Sequence, residues 1–122
     1  MPVPLMSPEA LAGFRDLQSP EDPHFVREFL KTVLSAFPPR LEGIKRAIAA
    51  ADYVALAAEA HALKSSCANA EIRVMTTACA ELEALGRAAS LDGASERNRQ
   101  LCELYEQLRA EIHALPEFAG SP

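Results

Sequence analysis

The sequence predicts an all-α fold: an antiparallel up-down four-helix bundle with additional short N-terminal helices packed at one end. Every sizeable stretch repeats apolar residues at three- and four-residue spacing, and none shows the strict alternation of a half-buried strand. Most of the prolines fall at the termini or between the periodic stretches, where they punctuate helices. The connections are a few residues long, which makes successive helices antiparallel neighbours.

Ser7-Pro8-Glu9 is a helix start, with a capping serine, proline at the first helical position and an acid beside it. The short helix that follows carries Leu11, Phe14 and Leu17 on one side. "SPEDPHF" restarts the chain, and Phe25, Phe29, Val33 and Phe37 form an apolar stripe. Pro38-Pro39 removes two consecutive backbone donors and is expected to interrupt it. Leu41, Ile44 and Ile48 continue in a further helix ending near "AAAD", where Asp52 is placed to cap the next one. That next helix covers residues 53 to 69. Ile72, Met75, Cys79, Leu82 and Leu85 supply the following stripe, which stops near Gly86. After the turn "SLDGAS", the last helix carries Leu101, Leu104, Leu108, Ile112 and Leu115 before Pro116 ends it. The reading is one domain over residues 1–122, with the bundle core at about 38–115 and a flexible tail at 116–122. No repeat, low-complexity run or interior linker divides it.

At 122 residues, the chain has room for one core. A formal net charge of −5, with lysines and arginines scattered singly, gives no basic face for nucleic acid and no polybasic membrane patch. No apolar run approaches the ~20 residues a membrane span needs, and "MPVPLMSPEA" lacks the features of a signal peptide. Cys67, Cys79 and Cys102 are odd in number and widely spaced, so they read as reduced core residues of a cytoplasmic protein. No metal site is expected. The one Glu-x-x-His spacing, Glu21 to His24, contains Pro23, and both His61 and His113 have alanine at the matching position.

The stretch from Ala57 to Glu71, "AAEAHALKSSCANAE", sets one imidazole among small residues. Taking Leu56 as origin, Ala60, Leu63 and Cys67 fall within about 40° of it on a helical wheel, whereas His61 lies about 140° away. The ring therefore points mostly to solvent. Around it, Ala57, Ala58, Ala62 and Ser65 form a low floor, with Ala68 further along. Low neighbours let a partner's active site reach the ring, and Lys64 brings a mobile cation suited to a phosphoryl group. A solvated surface histidine among good helix formers is the plain alternative.

"AHALKSSCANA" resembles the signature of histidine-containing phosphotransfer (HPt) domains, through His61, Leu63, Lys64, Ser66, Ala68 and Asn69. The resemblance covers roughly residues 9 to 113, including the helical approach to the histidine and the helix and turn after it. It implies that His61 accepts a phosphoryl group from a receiver-domain phospho-aspartate and relays it to another receiver. Lys64 would stabilise phosphoryl charge and Ser65 would offer a hydrogen bond. The partners implied are response-regulator receivers and a hybrid sensor histidine kinase. Ala57, Ala58, Ala62, Ser65 and Ala68 would form the docking surface, extended by Leu11 and Phe14. The protein would need no cofactor of its own, with Mg²⁺ on the receiver, and would act as a cytoplasmic monomer. With no Gly-rich phosphate loop or other nucleotide signature, it is expected to carry phosphoryl groups rather than to draw them from ATP. The initial methionine and the absence of flanking domains suggest a free-standing carrier.

Two positions depart from the family pattern. Ser65 stands where glycine usually follows the lysine, and Glu71-Ile72 stands in place of Gly-Ala. Without that second glycine, either Asn69 takes the left-handed conformation that ends the helix or the helix runs on. These departures also leave open a degenerate helical adaptor that docks receivers or kinases without efficient transfer.

Overall fold

Helix boundaries in the computed structural model, which describes residues 3–119, follow the apolar stripes more closely than the prolines. Five α-helices succeed one another: α1 (Pro8–Asp16), α2 (Phe25–Ala50), α3 (Tyr53–Asn69), α4 (Arg73–Arg87) and α5 (Ala94–His113). A short 3₁₀ turn, Pro116–Phe118, follows. Helix α2 packs on α3 and α5, and α4 packs on the same two, so α2–α5 close into a four-helix bundle.

Pro38 and Pro39 do not interrupt the chain. They lie on the exposed side inside a continuous 26-residue α2, which corrects the expected break and moves the start of the bundle core from about 38 to 25. The physical reason is phase. Val26, Leu30, Val33, Leu34, Phe37, Leu41, Ile44 and Ala47 stay on one buried stripe straight through the prolines. Interior proline costs roughly 3 kcal/mol, and several large side chains buried on both sides outweigh that. Helix α2 is therefore ~39 Å long against ~26 Å for α3, by the rise of 1.5 Å per residue.

Part of that overhang is covered by α1. Ser7 caps it through Ala10 N at 3.1 Å, and Phe14 meets Phe29 of α2 with ring centroids 4.8 Å apart. The C-terminal segment returns to the same end. Phe118 is buried, Glu117 forms a two-pronged pair with Arg15 of α1 at 2.7 and 2.9 Å, and Leu5 N donates to Glu111 Oε1 at 2.8 Å. Residues 116–119 are thus docked, which corrects the expectation of a tail loose from 116; residues 120–122 lie outside those described.

Three helices end in the same way. Ala51, Glu71 and Ala89 adopt left-handed backbone, with φ of 50°, 57° and 52°. At the α3 terminus Ile72 N reaches back to Cys67 O and Glu71 N to Ala68 O, each at 3.0 Å, which closes the last orphan carbonyls. The helix neither runs on nor turns at Asn69; Glu71 itself takes the conformation usually given to glycine.

Candidate functional site around His61

Helix α3 starts where Asp52 Oδ1 accepts from Ala55 N at 3.0 Å. Leu56, Ala60, Leu63 and Cys67 form its buried stripe, as the wheel predicts. This fixes His61 on the flank of α3, with its side chain 57% exposed.

Helix α4 supplies what the sequence reading missed. Glu83 sits on the inward stripe of α4 with Met75, Cys79, Leu82 and Gly86, and its side chain is only 6% exposed. Three groups converge on its carboxylate. His61 Nδ1 lies 3.0 Å from Oε2, Lys64 Nζ donates to Oε1 at 2.5 Å, and Arg87 donates to Oε2 from Nη2 at 2.6 Å and Nε at 3.1 Å. A buried carboxylate without partners would hold its proton, but here the Lys64 hydrogen bond, aided by those of Arg87 and His61, outweighs desolvation. It lowers the Glu83 pKa to about 2. Glu83 is therefore ionised and can only accept hydrogen bonds. Its contact with His61 requires the ring proton on Nδ1, so in the neutral ring Nε2 carries the lone pair. Among the described residues no hydrogen-bond partner approaches Nε2.

The charges of this cluster are simple to count. Lys64 and Arg87 contribute two positive charges, Glu83 one negative charge and the neutral ring none, leaving a net +1 beside an open nucleophilic nitrogen. Such a site suits an anionic electrophile. Ser65 is placed differently from expectation. Its hydroxyl donates to the His61 carbonyl oxygen at 3.2 Å, the usual back-bond of a mid-helix serine, and does not touch the ring.

Beside the ring, a groove of about 520 Å³ runs toward the start of α3 between Val54, Ala57 and Ala58 on one side and Gly86 and Arg87 on the other. Val54, seven residues before His61 on the same face, is 82% exposed. Of the small residues singled out in the sequence, Ala58, Ser65 and Ala68 are exposed and Ala57 and Ala62 half-buried. Leu11 and Phe14 do not join them. Phe14 is buried and Leu11 packs against the core, so both serve to seat α1. Glu83 and Arg87 had one sequence signal, an acid inside the apolar stripe of α4 with an arginine one turn on.

Two of the three cysteines, Cys67 and Cys79, are buried and all three are free. The Cys79 thiol is held protonated by a hydrogen bond with Cys67 and by burial. No described helix is long and apolar enough to cross a membrane.

A family profile described as Hpt domain matches residues 28–114, most of the chain. No curated protein and no solved structure matches it.

Proposed function

Because the chain belongs to the Hpt domain family, we propose that it is a phosphocarrier whose His61 takes a phosphoryl group from the phospho-aspartate of one receiver domain and passes it to another. The observation that supports this most is the ionised Glu83 at His61 Nδ1, which leaves the lone pair on Nε2, the nitrogen without a hydrogen-bond partner among the described residues. In the forward step the Nε2 lone pair attacks phosphorus, the N–P bond forms and the acyl phosphate O–P bond breaks. The aspartate departs as a carboxylate on the receiver. The phosphorylated ring then keeps its proton on Nδ1 and is cationic, and Glu83 faces the charge that develops. Transfer onward reverses these steps onto a second aspartate.

Phosphoryl transfer asks mainly for in-line placement and charge stabilisation. Lys64 and Arg87, both anchored on the carboxylate that also meets the ring, would meet the phosphoryl oxygens. The receiver would bring Mg²⁺ and its own aspartate. Docking is assigned to Ala57, Ala58, Ala62, Ser65 and Ala68, extended toward Val54 rather than toward α1. A hybrid sensor kinase and a response regulator in the cytoplasm are the partners this chemistry fits, with the carrier acting as a monomer.

The test is direct. Incubation with a phosphorylated receiver should deposit an acid-labile, base-stable label on the wild type and none on His61→Gln. Label surviving in His61→Gln overturns the assignment of the site, and a wild type that binds receivers but never takes label establishes the adaptor alternative instead.

A further inference from the structure

Helices in a bundle lie at a separation set by the side chains between them. At one crossing of α3 and α4 those side chains nearly vanish. Gly86 of α4 faces Tyr53 and Ala57 of α3, and a Cβ on Gly86 would lie 2.7 Å from Ala57 N, 2.8 Å from the Tyr53 carbonyl oxygen and 2.9 Å from Ala57 Cβ. Two of those three atoms are helix backbone, which no rotamer change moves aside. Any side chain at 86 therefore forces the helices apart.

The crossing and the phosphoacceptor lie on adjacent turns of one seam. Glu83 is three residues before Gly86 on the same buried face of α4, and Ala57 is four residues before His61 on α3. Relief of the Ala57 N contact, from 2.7 Å to the 3.4 Å where ordinary contact begins, widens the seam by about 0.7 Å. The same widening at His61 carries its 3.0 Å contact with Glu83 past the roughly 3.5 Å at which such a hydrogen bond ends.

We propose that Gly86 is a positioning residue of the His61 site: with no Cβ between the helices, α4 comes close enough to α3 for Glu83 to hold Nδ1. Without that contact the imidazole is free to carry its proton on either nitrogen, including the one that must attack. The functional consequence rests on the reading of His61 as the phosphoryl acceptor; the geometric one does not.

Two readouts on the full chain test this. Nitrogen NMR of the His61 ring should show the Nδ1–H form in the wild type and a mixture of tautomers in Gly86→Ala. With phosphoramidate as the donor, the N–P bond to Nε2 forms as the reagent's P–N bond breaks and ammonia leaves. That rate should fall about tenfold in Gly86→Ala, as expected for a small misplacement. Ala84→Gly, exposed on α4, lowers helix stability without placing an atom in the seam, and should leave both readouts at wild-type values. Ala57→Val loads the same contact from the α3 side and should reproduce the loss. Retention of the Nδ1–H form in Gly86→Ala, or in Ala57→Val where the first variant does not fold, overturns the proposal. A wild type with that tautomer but no phosphoryl group on His61 refutes the functional reading and leaves the positioning role standing.

Discussion

The two seams of the bundle hold together by different means. Between α2 and α5, Phe37 is fully buried and stacks on Tyr105 with ring centroids 5.0 Å apart. Most charges of α5 stay outside: Arg99 pairs with Glu96 and Glu103 and Arg109 with Glu106 along its own surface, while Arg97 reaches Glu81 of α4 at 3.5 Å. Between α3 and α4 bulk is scarce: Ala57 meets Gly86, Cys67 meets Cys79, and a carboxylate with three partners fills the remaining space. Bulk gives the first seam stability and tolerance of small shifts. Closeness gives the second a fixed charge geometry, which depends on single atoms. Glu96, Glu103 and Glu106 on α5 are solvated surface charges; Glu83 decides where the proton of a histidine sits.

Truncation on the bulky seam is the strongest way to break this contrast. Phe37→Ala removes a fully buried ring and should cost about 4 kcal/mol, read by urea denaturation. Under conditions where the variant remains folded, the His61 tautomer should be that of the wild type. A tautomer change as large as that expected for Gly86→Ala would show that the seams are coupled and the contrast misplaced.

The carboxylate comes next. Glu83→Gln removes the charge that Lys64, Arg87 and His61 share, and should cost about 2 kcal/mol near neutral pH. Its pH dependence sharpens the assignment. The folded-state pKa of Glu83 is lowered from 4.5 to about 2, first by the Lys64 hydrogen bond, so its contribution is complete above 4.5 and is lost as pH falls toward 2. The stability difference between wild type and Glu83→Gln should therefore be constant from neutral pH down to about 5 and shrink by pH 3. A difference that does not change with pH would mean that Glu83 acts through packing alone.

How far the sequence disclosed all this follows the same division. The stripes of α3, α4 and α5 were legible because each buried position repeats in phase, and so was the outward aim of His61. The continuity of α2 was also written there, in the unbroken phase from Phe37 to Leu41 and Ile44, but the local cost of two prolines concealed it. Glu83 and Gly86 were hidden for another reason. A helical wheel places residues around one axis and says nothing of how closely a second helix approaches, so an acid on an apolar stripe has no visible partner until both helices are placed. The same limit explains Leu11 and Phe14, whose apolar character fits a docking patch and a packing face equally well; the α2 overhang decided for packing. Ser65 was drawn to its own backbone, an option local to every helical serine.

The smallest effect concerns the turn that joins the two close helices. Glu71 carries the left-handed conformation at φ 57°, which costs an L-residue roughly 1–2 kcal/mol, while glycine gives back part of that through the freedom of its unfolded chain. Glu71→Gly should therefore stabilise the fold by about 0.5–1 kcal/mol, visible as a rise in thermal midpoint. Ala89→Gly, at the equivalent position after α4 with φ 52°, should move the midpoint in the same direction. The pair separates stability from site geometry. The Ile72 to Cys67 and Glu71 to Ala68 backbone bonds already fix the turn, so relief of its strain should leave the α3–α4 spacing, and the His61 tautomer with it, unchanged. If Glu71→Gly shifted the tautomer and Ala89→Gly did not, the strain at 71 would itself be setting the separation of the seam, and the close contact at Gly86 would be its consequence rather than its cause.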